Sequence, residues 1–341
     1  MTDTVLVTGA TGFIAKHCIA ELLRAGYAVR ATVRDVAKGS DAVLAALGRA
    51  SVDTAALSFV AADLMRDDGW DAAARGCRYA LHLASPFPIQ QPGNRDEVVA
   101  PAREGTLRVL GAATAAGIER VVLTSSTVAV MYTSGSAPDH VYTEADWTDT
   151  DRDDITPYIV SKTLAERAAW DYVRATGGAP ELVAINPGFV QGPALDADLS
   201  TSLEVLHLMG KGAYPGAPRI EFPLVDVRDV AELQVKALTE AKAAGERFMV
   251  LNGSASLYGI GRQIAEALPD LEGKVPKFEM PDVMVRGLAM FDKRLRTVLP
   301  ELGIVRRCSN AKVCDTFGHT FRTPETAIRD AALSLRALAV I

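Results

Sequence analysis

A tyrosine and a lysine stand four residues apart near the middle of the chain, at Tyr158 and Lys162. The run that follows, from Leu164 to Trp170, consists of strong helix formers, so both side chains are predicted to lie on one helix face, one turn apart. There the ammonium of Lys162 would favour the phenolate of Tyr158 and lower the pKa of its hydroxyl. Such a pair can exchange a proton with a substrate near neutral pH. Taken alone, a pair at this spacing is more often an exposed polar face.

A glycine turn near the start of the chain is the second feature with a chemical use. An apolar, β-branched run at residues 4–8 predicts a buried strand, Gly9 and Gly12 follow it, and a helical pattern begins at Phe13. Such glycines let backbone N–H groups approach a pyrophosphate, whose charge the helix N-terminus favours. Ala15 replaces the third glycine of the pattern, a position that mainly sets how closely helix and strand pack. The turn predicts a dinucleotide site.

The end of the second predicted strand, residues 27–33, bears on the choice of cofactor. An NAD-binding chain usually has a carboxylate there for the ribose 2′-OH, whereas an arginine suits a 2′-phosphate. Val33 occupies the acidic position, and Arg34 and then Lys38 follow it. NADP is therefore favoured over NAD, although Asp35 keeps NAD open.

These residues need strands and helices to position them, and the hydrophobic pattern predicts both. Strands are predicted at residues 4–8, 27–33, 57–61, 79–84, 121–126 and 182–185. Helices are predicted to begin at residue 13 and to cover 67–74, 98–116 and the segment after a polar loop at 134–156. Strands that alternate with helices imply an α/β fold with a Rossmann-type, doubly wound parallel sheet.

The alternation loosens after Pro187, and residues 210–223 are rich in glycine and proline. Further elements are predicted at residues 227–244 (helix), 247–251 (strand) and 256–268 (helix). We therefore interpret residues 1–185 as the dinucleotide-binding domain. Residues 186–341 are expected to form mainly a smaller, mixed α/β lobe that binds substrate, with some segments returning to the cofactor domain.

Composition and charge argue against several other classes of protein. The 341 residues are 49% hydrophobic and 23% charged, as in folded globular proteins. A net charge of −6 without a basic cluster argues against binding to nucleic acids or anionic membranes. The four cysteines show no metal-binding or C-x-x-C spacing, so we predict neither a metal site nor disulfides. No signal peptide and no apolar run of membrane-spanning length are indicated, and we expect a cytoplasmic protein.

Together these motifs resemble those of the extended short-chain dehydrogenases/reductases. The turn at residues 8–15 (TGATGFIA), the hydroxyl run at 124–126 and Tyr158-x-x-x-Lys162 occur in that family's order and spacing. Within the family the chain is most similar to the dihydroflavonol reductase-like aldehyde and ketone reductases, through VRATVRD (29–35), HLASP (82–86), VSKTLAE (160–166) and INPGFV (185–190). The segment PAREGT (101–106) lacks the asparagine of the N-x-x-G-T motif, which argues against a sugar epimerase.

The resemblance implies a role for each matching position. Ser126 matches the catalytic serine, Tyr158 the proton donor, and Lys162 the lysine that also holds the nicotinamide ribose. The implied cofactor contacts are Gly9, Thr11, Gly12, Phe13, Ile14, Arg34, Lys38, Asp63, Leu64, Ala84, Ser85, Thr124, Tyr158, Lys162, Pro187 and Val190. The candidate substrate contacts are Phe87, Ser126, Met131, Tyr158 and Phe189. His82 is expected to be structural rather than a base.

The predicted protein is an NADP-dependent reductase of a small, apolar or aromatic aldehyde or ketone, acting as a monomer or homodimer. The alternative is an NAD-dependent hydroxysteroid dehydrogenase or a nucleotide-sugar epimerase or dehydratase. A sugar nucleotide needs cations for its diphosphate, and residues 190–225 offer only Lys211 and Arg219, although arginines at residues 286–307 could contribute. A non-catalytic NADP-sensing regulator is a third hypothesis, but such proteins tend to lack the tyrosine and the lysine.

Overall fold

A parallel sheet of seven strands lies at the centre of the protein. The computed structural model describes residues 2–85, 96–137, 139–291 and 293–341. The strands are β1 (Thr4–Thr8), β2 (Ala28–Val33), β3 (Leu57–Ala61), β4 (Tyr79–His82), β5 (Arg120–Thr124), β6 (Val141–Tyr142), β7 (Glu181–Pro187), β8 (Phe189–Gln191), β9 (Ala217–Pro218), β10 (Glu221–Asp226), β11 (Arg247–Val250), β12 (Ser254–Ser256), β13 (Glu279–Met280) and β14 (Arg307–Cys308). The helices are α1 (Phe13–Arg24), α2 (Val36–Arg49), α3 (Trp70–Ala74), α4 (Asp96–Ala116), α5 (Pro157–Ala175), α6 (Thr201–Gly210), α7 (Val227–Ala237), α8 (Leu257–Ala267), α9 (Asp282–Leu288), α10 (Lys293–Val298), α11 (Ala311–Phe317) and α12 (Pro324–Ala337).

The strand order of the main sheet is β3-β2-β1-β4-β5-β7-β11, and every neighbouring pair is parallel. The chain crosses from β3, at one edge of the sheet, to β4, beside β1, so the winding reverses between β1 and β4. In sheets of this kind, ligands bind outside the carboxyl ends of the strands at this reversal. The predicted fold class, a Rossmann-type doubly wound sheet, is confirmed.

Both faces of the main sheet are covered, which explains the uninterrupted apolar strands in the sequence. In β1, Val5 and Val7 join the larger core cluster, which includes residues of α1 and α7, whereas Leu6 joins a second cluster with residues of α4 and α5. Successive side chains of a strand point to opposite faces, so β1 serves both cores. All three side chains are fully buried.

The second half of the chain contributes to the main sheet and also builds smaller ones. β11 pairs with β7, and α7 packs against α1, so parts of residues 186–341 lie within the cofactor-binding half. β8, β10 and β12 form a separate three-stranded sheet, and two-stranded pairs are formed by β9 with β13 and β6 with β14. The division into two domains at residue 185 stays a prediction.

Several predicted boundaries differ from the structure, each for a local reason. β4 ends at His82 rather than 84, because the N–H groups of Leu83 and Ala84 both donate to the Thr8 hydroxyl instead of a neighbouring strand. β5 ends at Thr124 rather than 126, because Ser126 caps a 3₁₀ turn at Thr127–Ala129.

Helix boundaries differ as well. The helix predicted at 227–244 ends at Ala237, and a separate 3₁₀ turn covers Ala241–Ala243. The short helix predicted at 67–74 begins only at Trp70. Helices α2 and α6 were not predicted, although Asp35 and Ser200 cap them with their side chains.

Within the described parts of the chain, none of the helices is both long enough and apolar enough to cross a lipid bilayer.

Candidate active site

Helix α5 positions the tyrosine and the lysine. It begins with proline at its first residue, and the Thr156 hydroxyl accepts a hydrogen bond from the N–H of Ile159 at 3.4 Å. A capping threonine followed by proline is a strong start signal for a helix. Tyr158 therefore lies in the first turn of α5 and Lys162 in the next, and both residues are half-buried. The predicted placement on one helical face is found.

Ser126 reaches Tyr158 from the end of β5. Beyond Thr124 the chain leaves the sheet, and the Ser126 hydroxyl accepts from the N–H of Val128 at 3.3 Å. The side chains of Ser126 and Tyr158 are hydrogen-bonded to each other. The structure thus brings together the three residues to which the sequence assigned the chemistry, from a strand end and a helix start.

The pKa values of Tyr158 and Lys162 follow mainly from burial. Burial raises the pKa of Tyr158, and the hydrogen bond from Ser126 opposes this rise only in part. Burial also lowers the pKa of Lys162, to about 8, although the negative charge of Glu166 acts to raise it. The pKa of Tyr158 is therefore raised overall and not lowered as expected, because removing water from the phenolate has the larger effect.

His82, at the end of β4, is buried and neutral. Burial, followed by the charge of Lys162, lowers its pKa to about 3. Its Nδ1 lies 2.8 Å from the hydroxyl of Thr8, which already accepts two backbone N–H groups. The hydroxyl proton is therefore donated to Nδ1, which leaves the imidazole proton on Nε2. His82 joins the ends of β1 and β4, in agreement with the structural role expected for it.

The glycine turn after β1 forms a concave backbone surface. Gly9 has φ +69°, and a Cβ placed on it would lie 2.9 Å from the Cα of Ala84. Gly12 begins α1 without any side-chain cap, so the first N–H groups of the helix face outward. Thr11, Phe13 and Ile14 complete the turn, and Ser85 follows Ala84 on the opposite side. A side chain would fill this space, whereas a pyrophosphate fits it.

The segment after β2 presents basic side chains to solvent. Arg34 and Lys38 are both exposed, at the N-terminus of α2. The carboxylate of Asp35 accepts a hydrogen bond from the N–H of Lys38 at 3.1 Å and caps this helix. Asp35 therefore already has a local partner, which weakens the argument that it binds a ribose hydroxyl.

The predicted adenine-side pair follows β3. Asp63 accepts a hydrogen bond from the N–H of Met65 at 2.9 Å, and Leu64 packs where α4 passes. A Cβ on Gly105 of α4 would lie 2.9 Å from the Cβ of Leu64, which explains a glycine at this point of the helix.

The remaining cofactor candidates lie on strands β5, β7 and β8. The Thr124 hydroxyl accepts from the side-chain amide of Gln234 at 2.5 Å, Pro187 is the last residue of β7, and Val190 is a buried residue of β8 that pairs with Val225. The sheets thus place all three residues.

The substrate candidates are more dispersed. Met131 is buried against Tyr132 and Ile159, and it lines a cavity of about 230 Å³ whose lining includes none of the three catalytic candidates. Phe189 stacks on Phe222 with ring centroids 4.6 Å apart. Phe87 lies outside the described residues.

A buried polar cluster beside the catalytic candidates was missed by the sequence analysis. It consists of Ser125, Glu166, Asn186 and Arg247, which are all at most 7% exposed. The helical spacing of Glu166, four residues after Lys162, was a usable signal, because it places the carboxylate on the same face. Arg247 gave no such signal, since it is distant in the sequence.

Comparison with known proteins gives the family. The model of the NAD dependent epimerase/dehydratase family matches residues 5–252. The ketoreductase azaE of Aspergillus niger is 34% identical over 98% of this chain and 98% of its own. A dihydroflavonol 4-reductase of Zea mays is 35% identical over 79% of this chain and 75% of its own. The predicted resemblance to extended reductases of the dihydroflavonol reductase type is confirmed.

Similarity extends to a solved structure with a bound cofactor. The yeast methylglyoxal/isovaleraldehyde reductase Gre2, complexed with NADPH, superposes with a TM-score of 0.82 at 27% sequence identity. The match covers 99% of this chain and all of that one. The fold is therefore shared over nearly the full length of the chain.

Proposed function

The chain belongs to the NAD dependent epimerase/dehydratase family, and we propose that this protein is a reductase that uses NADPH to convert an aldehyde or a ketone into an alcohol. Two similar proteins are named for ketone or aldehyde reduction, and one of them was solved with NADPH. The glycine turn and the exposed Arg34 and Lys38 supply groups suited to the pyrophosphate and the 2′-phosphate of this cofactor.

The hydrogen bond between Ser126 and Tyr158, with Lys162 one turn along α5, is the observation that carries the proposal. These groups lie beyond the carboxyl ends of the strands of the main sheet. The glycine turn after β1 lies at the same end of the sheet, next to the reversal between β1 and β4. A hydroxyl pair beside a buried ammonium is suited to neutralising charge that develops on a carbonyl oxygen.

Each side chain has a distinct part in this chemistry. When bound, NADPH supplies the hydride that adds to the carbonyl carbon. Tyr158 gives its hydroxyl proton to the carbonyl oxygen, and Ser126 donates a hydrogen bond to that oxygen and orients it. Lys162 stabilises the phenolate that remains on Tyr158. Because burial keeps the pKa of Tyr158 above its ordinary value, Tyr158 holds its proton at neutral pH and acts as the acid in the direction of reduction.

An apolar or aromatic carbonyl compound is the substrate class that we propose. The support is Phe189, which lies two residues after Pro187 and stacks on the ring of Phe222. We further propose a cytoplasmic protein, since the four cysteines are free, and a monomer or homodimer, which light scattering would distinguish.

A cofactor and substrate panel tests the proposal. The absorbance of NADPH and of NADH is followed with a set of apolar, aromatic and small polar aldehydes and ketones. We expect oxidation of NADPH with at least one aldehyde or ketone, faster than oxidation of NADH. Tight NADPH binding without turnover of any carbonyl compound would instead favour the non-catalytic regulator. A clear preference for NADH would contradict the assignment of Arg34 and Lys38.

A further inference from the structure

Helix α5 has a third polar residue in register with Tyr158 and Lys162. Glu166 stands one turn beyond Lys162 and two turns beyond Tyr158, so the three side chains share one face of the helix. Its side chain is only 1% exposed, and an ionised carboxylate in that position requires partners.

Donors surround the Glu166 carboxylate on both oxygens. One oxygen accepts from Nε of Arg247 at 2.6 Å and from the indole N–H of Trp170 at 3.2 Å. The other accepts from the hydroxyl of Ser125 at 2.5 Å, from the side-chain amide of Asn186 at 2.8 Å and from Nη2 of Arg247 at 3.3 Å. The carboxylate thus joins α5 to the ends of β5 and β7 and to β11.

Two of these contacts lead directly to Ser126. Ser125 precedes it in the chain, and Asn186 donates both to Glu166 and, at 3.1 Å, to the carbonyl oxygen of Ser126. The backbone on each side of Ser126 is thereby tied to α5, the helix that also holds Tyr158. The distance between the Ser126 and Tyr158 hydroxyls therefore depends on the Glu166 carboxylate.

The charge of Glu166 also acts on Lys162. Burial disfavours the Lys162 ammonium, and among the described charges Glu166 opposes this effect. Among the described residues, the neutral His82 on β4 faces Lys162, and Arg247 on β11 faces Glu166.

Arg247 is itself fixed by further contacts. Its guanidinium lies 3.6 Å from the ring centroid of Trp147 and donates to the carbonyl oxygens of Glu144 and Asp146. The ion pair with Glu166 is therefore held from both sides.

We propose that Glu166 is a positioning residue of the active site: its buried carboxylate fixes the turn that holds Ser126, and its charge keeps Lys162 an ammonium ion. The inference rests on the proposed function, because Ser126 and Lys162 act in it. Its two consequences, a geometric one and an electrostatic one, can be measured separately.

Glu166→Gln tests both consequences, since it keeps the shape of the side chain and removes its charge. Titration of ¹³Cε-labelled lysine by NMR follows the Lys162 ammonium directly, with its signal assigned by loss in Lys162→Met. We expect the titration of Lys162 to move about one pH unit lower than in the wild-type protein. The fall of kcat at high pH should move in the same direction, and kcat at pH 7 should drop about tenfold.

The double variant Glu166→Gln with Arg247→Gln separates charge from stability. It leaves no unpaired buried guanidinium, so its melting temperature should recover relative to Glu166→Gln alone. The Lys162 titration should nevertheless stay lowered, because the negative charge is still missing. A purely structural role of Glu166 predicts the opposite, recovery of both.

Asp229→Asn is the matched control. Asp229 is also a fully buried carboxylate, bound by Arg322 and His319, and it has no hydrogen bond to the catalytic candidates. The control should lose stability without any change in the Lys162 titration or the pH profile of kcat.

An unchanged Lys162 titration in folded Glu166→Gln would overturn the inference, whether or not a carbonyl substrate is found. If neither Glu166 variant folds whereas Asp229→Asn does, Glu166 serves folding alone and the inference is again wrong. By contrast, a lowered Lys162 titration in a protein that reduces no carbonyl compound would support the inference about Lys162 and remove the proposed function.

Discussion

The two parts of the candidate site are built in opposite ways. The glycine-turn region, residues 9–14 with Arg34 and Lys38, offers backbone N–H groups and exposed cations from one short stretch of chain. The catalytic region, Ser126 with Tyr158 and Lys162, consists of side chains from a strand end and a helix. Asn186 links Ser126 to the buried Glu166, which in turn pairs with Arg247.

This difference determines how each region tolerates substitution. Most side-chain substitutions leave backbone donors unchanged, and an exposed cation can be removed without leaving a buried partner unpaired. Substitutions in the glycine-turn region should therefore weaken cofactor binding only moderately. In the catalytic region, Ser126 and Tyr158 share a hydrogen bond and Lys162 lies near the charge of the buried Glu166, so losing one group affects several others. The predictions below test this contrast, beginning with the largest effect.

Removing the Tyr158 hydroxyl should have the largest effect. Tyr158→Phe deletes the proposed proton donor, and we expect kcat to fall about 10²–10⁴-fold while NADPH binding persists. The measurements are steady-state turnover and NADPH binding by fluorescence. Tyr172→Phe is the control, because it makes the same change on the same helix, where the hydroxyl donates to Thr114 at 3.1 Å. Near-normal turnover of Tyr158→Phe would rule out the proposed mechanism.

A side chain at Gly9 should weaken cofactor binding without touching the chemistry. Gly9→Ala places a Cβ 2.9 Å from the Cα of Ala84 at a positive φ, so the turn must shift. We expect the Kd for NADPH to rise about 10–100-fold. Gly26→Ala is the control, since Gly26 also has a positive φ but nothing lies within 4 Å of its Cβ position. Gly26→Ala should lower the stability by about 1 kcal/mol and leave the Kd for NADPH unchanged. Equal Kd values for Gly9→Ala and Gly26→Ala would contradict the expected role of the turn.

Replacing Arg34 should alter the choice of cofactor alone. Arg34→Gln removes a proposed partner of the 2′-phosphate, and we expect the KM for NADPH to rise about tenfold, corresponding to about 1.4 kcal/mol, while the KM for NADH and kcat stay constant. Arg24→Gln, at an exposed arginine of α1 paired with Glu21, is the control. An equal rise for both cofactors would show that Arg34 does not distinguish them.

The smallest effect concerns two buried histidines, His17 on α1 near the glycine turn and His82 on β4 near Lys162. Burial lowers the pKa of His17 on α1 to about 4 and that of His82 to about 3. Below pH 6.5 the unfolded chain binds protons that the folded protein excludes, so stability falls as the pH falls toward these values. At pH 6 the loss is about 1 kcal/mol for each histidine. Urea unfolding between pH 7 and pH 5 should show a smaller loss of unfolding free energy in His17→Asn or His82→Asn than in the wild type. A pH dependence of that free energy as steep as in the wild type would contradict the assignment.

Much of the fold could be predicted because its signals are local. The apolar runs of β1 and β3 were placed with their observed limits, and the helix expected after the loop at 134–156 begins at Pro157. The limits of β4 and β5 were less accurate. They depend on where Thr8 and Ser126 divert hydrogen bonds, and this is visible only once the strands are assembled.

By itself, the sequence determined the sheet class, the glycine turn and the placement of Tyr158 and Lys162 on one face of a helix. Helical periodicity and the conformational freedom of glycine are properties of short segments, so these features could be inferred locally. Tertiary structure decided the direction of the pKa shift of Tyr158 and the pairing of Glu166 with Arg247. Both depend on which groups lose water together, and Glu166 and Arg247 meet only after β11 has joined β7 in the sheet.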